Sequence, residues 1–167
     1  MELEKHHFIQ IINSNRGMIR SLCKVYYASS EDQKDAFQDI ILQLWKSFAS
    51  FRGESEISTW IYRVSFNTII NKIRRDKKSV TAEPIDKSHL HISYAKADDN
   101  VELLSMIIQS LQDIDKAIMI LYLEGYRNKE IADILKLSPT NVATRFNRLK
   151  SKLKMKFKSK PHATKRS

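Results

Sequence analysis

The sequence predicts an all-α protein made of two small helical domains joined by a flexible linker. Three observations carry that reading. Apolar residues recur at helical spacing in block after block, and no stretch shows the period-two alternation of a strand. Glycine and proline are scarce, three of each in 167 residues, where a turn-rich β fold needs many. Periodicity also lapses in one internal stretch, 79–100, where the charge balance changes sign. Basic residues outnumber acidic ones 13 to 9 in 1–78 and 14 to 6 in 101–167, but 2 stand against 4 in 79–100. Residues 1–78 and 101–156 are therefore expected to be domains, 79–100 a linker containing Pro84, and 157–167 a basic tail. Extended, that linker spans tens of ångströms.

A net charge of +10 and a pI near 9.7 point to a polyanionic partner. The lone Cys23 lies in an apolar helical stretch, which rules out a disulfide framework within the chain and reads as a small core residue. The start MELEKHHF has neither the cationic opening nor the apolar run of a signal peptide, and no segment reaches membrane-spanning length. A cytoplasmic protein with no membrane insertion is expected. His89 and His91 could be grouped with His6 and His7, but no cysteine or carboxylate completes a zinc site, so no metal or cofactor is expected. No nucleophile–base pair or phosphate loop is present, which argues against an enzyme.

The first helical stretch carries Phe8, Ile9, Ile12, Met18, Ile19, Leu22 and Tyr26, as one helix or as two broken near Asn13–Gly17. Ser30 with Gln33 forms a capping box, in which each side chain satisfies a free amide at a helix start. That helix has an apolar stripe of Ala36, Phe37, Ile40, Ile41, Leu44, Trp45 and Phe48. Its other face carries Asp35, Gln38, Asp39, Gln43 and a single leucine, Leu42, an arrangement that fits docking on a partner. A loop containing Phe51, Arg52 and Gly53 follows. The third helix, from about Ile57 to Asp76, begins its buried face with Ile57, Ile61 and Val64, continued by Ile69 and Ile73, and leaves Phe66 and Ile70 unassigned. Trp60, Arg63, Asn67, Asn71 and Arg74 form a separate stripe suited to nucleic acid, with arginines for phosphates and the rest for amide readout or a stacked base.

After the linker, Leu103, Leu104, Ile107, Ile108 and Leu111 make one amphipathic helix. Lys116–Glu124 makes a nearly all-apolar second, with Gly125 as its C-cap. Two further helices complete a four-helix module with a C-terminal helix-turn-helix. Asn128 is expected to cap the first of them, and Lys136-Leu137 is short enough only for a turn. Ser138 then caps the last helix, with Pro139 at its first position. Val142, Phe146, Leu149 and Leu153 form its buried stripe. The opposite face offers Thr140, Thr144, Asn147, Arg148 and Ser151, flanked by Asn141 and Arg145. Small polar residues permit close approach to a DNA major groove, while arginine and asparagine can bond base edges in pairs. Beyond Leu153, lysines alternate with Met155 and Phe157 in an acid-free run, expected to fray and add nonspecific attraction for phosphate.

The order of these parts resembles the extracytoplasmic-function (group 4) sigma factors of bacterial RNA polymerase, over nearly the whole chain. Asp32, Asp35, Gln38, Asp39, Leu42, Leu44 and Trp45 match the family's D-x-x-D-x-x-Q-[DE]-x-x-L-x-L-W segment. The resemblance implies that Asp35, Gln38, Asp39, Leu42 and Gln43 dock on the clamp coiled coil of the polymerase β′ subunit, with the β flap as a further contact. Phe51-Arg52-Gly53, Trp60, Arg63, Asn67, Asn71, Arg74 and Arg75 are similarly implied to recognise and melt the minus-ten element. Glu130-Ile131-Ala132, Leu135, Ser138, Val142, Arg145 and Arg148 match the helix-turn-helix that reads the minus-thirty-five element. Arg127, Lys129, Ser138, Thr140, Asn141, Thr144, Arg145, Asn147 and Arg148 are its implied DNA contacts. An anti-sigma partner is implied as well. Thr140-Asn141 and Ala143 depart from common family residues at the groove-facing end, so promoter preference does not carry over. The rival reading is a two-domain helix-turn-helix regulator that does not dock on polymerase. An RNA-binding adaptor is a weaker third, since it calls for an aromatic-bearing sheet.

Overall fold

The structure, a computed structural model, describes residues 2–79, 104 and 106–158; among these, every regular element is an α-helix. The chain divides into two compact units, Met1–Asp98 and Asp99–Ser167. Apart from Ser79, the expected linker 79–100 lies outside the described residues, as does the tail beyond Lys158.

The first unit holds α1 (Glu2–Tyr26), α2 (Ser30–Phe48) and α3 (Ile57–Ser79), each packed on the other two. Helix α1 is continuous through Gly17. Ile12 and Ile19, seven residues apart on one stripe, are both buried, so packing continues across the polar stretch that could have broken it. Asn15 adds a bond from Nδ2 to the Ile11 carbonyl, 2.8 Å. Helix α2 starts one residue earlier than the capping box implied. Ser29, in extended backbone, accepts the Asp32 amide at 2.9 Å, while Gln33 Nε2 donates back to the Tyr27 carbonyl. Ser29 is thus the N-cap, and Ser30 is the first helical residue.

The buried side of α3 also differs from the expected one. Ile61, Tyr62, Ser65, Phe66 and Ile69 are buried, whereas Ile57, Val64 and Ile73 are only half-buried. Phe66, fully enclosed, lies 6.2 Å from the Tyr26 ring and 5.9 Å from Tyr62, ring centre to ring centre. The reason is that α3 is covered by two helices, so apolar residues surround much of its circumference and periodicity alone does not say which arc is innermost.

In the second unit, helical residues 106–109 precede α4 (Asp113–Leu123), α5 (Asn128–Leu135) and α6 (Pro139–Lys158). Helix α4 is capped by Glu124, with Gly125 beyond it at φ 89. The amides of Gly125 and Tyr126 return to the carbonyls of Tyr122 and Leu121, each at 3.0 Å, so the glycine closes a Schellman motif. At α5 the cap residue is Arg127 and not Asn128; Glu130 accepts its amide at 2.8 Å. The turn into α6 rests on Lys136, the one described non-glycine residue with positive φ, at 55. Leu137 N–H then reaches the Ala132 carbonyl at 2.9 Å. Ser138 caps α6 as expected, its Oγ accepting the Asn141 amide at 3.1 Å. Ile118, Leu121, Ile131, Ile134, Val142 and Leu149 form the core. Helix α6 does not fray after Leu153 but continues through Lys158.

Candidate nucleic-acid interface

On α6, burial and exposure separate by face. Val142 and Leu149 point into the core, and Phe146 stacks on Tyr122 with ring centres 3.5 Å apart and planes within 12°. Thr140, Asn141, Thr144, Asn147, Arg148 and Ser151 are exposed on the other side, and a shallow concavity is bounded by Thr144, Asn147, Arg148, Ser151 and Lys152. Arg127 and Lys129, at the start of α5, are exposed as well. Back-bonding engages two hydroxyls of this face: Thr144 Oγ1 donates to the Thr140 carbonyl at 2.9 Å and Ser151 Oγ to that of Asn147 at 3.1 Å. Each keeps lone pairs as an acceptor.

Arg145 requires a correction. Its Nη1 donates to Asp115 of α4 at 2.8 Å, and its Nε donates to Asn141 Oδ1 at 2.9 Å. The guanidinium therefore ties α6 to α4 and fixes the Asn141 amide, so it is not an open base reader.

The stripe expected on α3 is open only at its far end. Asn71, Arg74 and Arg75 are exposed, Asn67 and Arg63 are half-buried, and Arg63 Nε is buried with no bonding partner. Trp60 requires the second correction. It is 7% exposed, with Phe51 at 5.1 Å and Phe48 at 6.2 Å between ring centres. Its ring closes one end of the core, where burying so large an apolar surface outweighs leaving it free to stack on a base. Phe51, against it, is half-buried, while Arg52 and Gly53 (φ 72) are exposed in the loop.

On α2, Asp35, Gln38, Leu42 and Gln43 are exposed, Leu42 to 48%. Trp45, assigned to the buried stripe from the sequence, is 44% exposed, its ring edge-on to Phe8 at 5.0 Å. One turn from Leu42, it enlarges the apolar spot on that face. Asp39 is bonded through Oδ2 to Lys72 Nζ of α3 at 2.7 Å. Sequence reasoning missed Lys72 because its partner is 33 residues away.

Comparison with known proteins decides the family. Residues 11–79 match Sigma-70 region 2 and residues 102–153 match Sigma-70, region 4. The chain is 33% identical over 134 residues to the RNA polymerase sigma factor YlaC of Bacillus subtilis, covering 74% of this chain and 76% of that one. It is 23% identical to the ECF RNA polymerase sigma factor SigM of Mycobacterium tuberculosis, over 90% of this chain and 76% of the relative. The chain belongs to the ECF RNA polymerase sigma factors. The fold of this sigma factor resembles that of RpoE from Bartonella quintana, solved with the anti-sigma factor NepR (TM-score 0.64, 15% identity, covering 96% of this chain and all of that one). It is equally similar to CnrH, solved with the cytosolic domain of CnrY (TM-score 0.65, 16% identity, covering 94% and 91%). As a sigma factor, the protein gives RNA polymerase its promoter specificity. No helix among the described residues of the sigma factor is long and apolar enough to cross a membrane.

Proposed function

We propose that this sigma factor divides promoter recognition between its two units. Helix α6 reads the minus-thirty-five element with Thr140, Asn141, Thr144, Asn147 and Arg148, while Arg127, Lys129 and the cap at Ser138 face the adjoining phosphates. The observation carrying this is the exposed, small-polar face of α6 lying opposite a stripe in which Val142 and Leu149 are buried and Phe146 and Leu153 half-buried. Such a face admits a base edge, and the rigid core behind it limits the entropy lost on binding. The open end of α3, Asn71, Arg74 and Arg75, together with Arg52 and Phe51 of the loop, engages the minus-ten element and the unpaired strand. Opening costs a few kcal/mol per unstacked step, and a stacked base returns roughly 1–3 kcal/mol. A chain of this size does not supply the whole melting energy, which makes core polymerase a necessary partner.

Asp35, Gln38, Asp39, Leu42 and Gln43 of α2 form the docking face for the β′ clamp coiled coil, and the second unit meets the β flap. RpoE of Bartonella quintana was solved with an anti-sigma factor, which supports an anti-sigma partner here too. The protein works in the cytoplasm, alongside the polymerase, as a binding factor and not as an enzyme in its own right. The test is run-off transcription with core polymerase on promoters mapped from transcripts induced by overexpression. The wild type restores initiation at fixed start sites, and Asp35→Lys, at an exposed position of the docking face, abolishes it by losing core affinity. A protein that binds duplex as a dimer without restoring initiation would instead be the helix-turn-helix regulator.

A further inference from the structure

The exposed surface of α6 changes composition halfway along. From Pro139 to Asn147 the only charged side chain is Arg145, which is bound to Asp115. From Arg148 to Lys158 there are six cations, Arg148, Lys150, Lys152, Lys154, Lys156 and Lys158, all exposed and with no acid among them. Lys154 and Lys158 continue the line of Asn147 and Ser151 at steps of three and four, and Lys152 lies one turn beyond Arg148. Three lysines thus extend the flanks of the small-polar face and do not start a new one.

Helix length dictates where they go. Twenty residues give α6 a length of about 30 Å, whereas a major groove is about 12 Å wide. A recognition helix places its first turns on the bases. Its last turns must then pass over a sugar–phosphate strand. Because α6 remains helical through Lys158, these lysines are carried on a rigid rod at fixed spacing. Ordered cations lose less entropy on meeting phosphates than a frayed tail would.

We infer that the last three turns of α6 are a second duplex-binding surface, indifferent to sequence, in which Lys152, Lys154 and Lys158 grip the phosphates flanking the groove. This rests on the helix-turn-helix reading above. It adds a division of labour within one helix: base selection in its first half, salt-sensitive affinity in its second. The ligand is duplex backbone, favoured over an acidic protein surface because the lysines are continuous with the base-reading face.

The test uses holoenzyme and promoter fragments with an intact or a scrambled minus-thirty-five element, titrated across salt. Replacing Lys152, Lys154 and Lys158 together by Gln is expected to reduce the slope of log affinity against log salt by about 3, close to one unit per phosphate contact. The loss should be equal on both fragments, leave the ratio between them unchanged, and be reversed by Arg at the three positions. An unchanged slope would overturn the inference, as would weakened binding to core polymerase with DNA affinity intact. Failure of the wild type to distinguish the two fragments would sink the helix-turn-helix reading instead, and a falling slope would then still support the lysine contacts.

Discussion

Arg145 and Asp115, thirty residues apart in sequence, meet at 2.8 Å and join α6 to α4. With the side chains 30% and 18% exposed, the pair is partly shielded from water and from salt screening. Arg145→Ala and Asp115→Ala should each lower stability, with a coupling of about 1 kcal/mol in a double-mutant cycle read by urea denaturation. Asp115→Ala should leave base preference at the minus-thirty-five element unchanged, whereas Arg145→Ala also releases the Asn141 amide that it holds. Arg148→Ala, exposed and on the reading face, should cost about 1–3 kcal/mol at its cognate base with stability nearly unchanged.

The two tryptophans should separate by fluorescence quenching. Trp60 is 7% exposed and Trp45 44%. Acrylamide should quench Trp45→Phe protein weakly and Trp60→Phe protein strongly, and core polymerase should protect the signal of the latter if α2 is the docking face. Trp60→Ala should destabilise by about 3–5 kcal/mol, since it empties a site among Phe48 and Phe51. Equal quenching of the two would contradict the burial of Trp60.

Two turn positions should respond in opposite directions. Nothing lies within 4 Å of a methyl placed on Gly125, so Gly125→Ala is penalised only by its φ of 89, about 1–2 kcal/mol. Lys136, at φ 55, already bears that kind of strain. Lys136→Gly relieves it but adds roughly 0.5–1 kcal/mol of chain entropy, leaving a small net gain. Thermal melts of the two variants should shift down and slightly up.

Cys23 makes stability pH-dependent on the alkaline side. Burial pushes its thiol up to about 11 from an ordinary 9.0, partly offset by its backbone hydrogen bond and by Lys72. The folded thiol holds its proton at pH values where the unfolded one releases it. This contribution is complete below pH 9 and is lost as pH rises through 11. Urea midpoints between those values should fall more steeply in the wild type than in Cys23→Ala. Tyr27, raised by burial and then by Asp76, adds a further decline at higher pH. The native thiol should resist alkylation until urea is added.

The sequence alone determined the helices, the two-unit division and the helix-turn-helix, because helical periodicity, caps such as Ser138-Pro139 and a two-residue turn are local relations that survive in any packing. It also determined the α6 face, since a helix with one narrow apolar stripe has only one way to bury it. Tertiary structure decided what depends on a second helix. It chose the innermost arc of α3, where apolar residues lie nearly all round, and sent Trp60 inward and Trp45 outward. It also bound Arg145 to Asp115 and Asp39 to Lys72 across 30 and 33 residues. Spacing along one helix places side chains relative to one another; which charge meets which across a helix pair is set by how the helices pack.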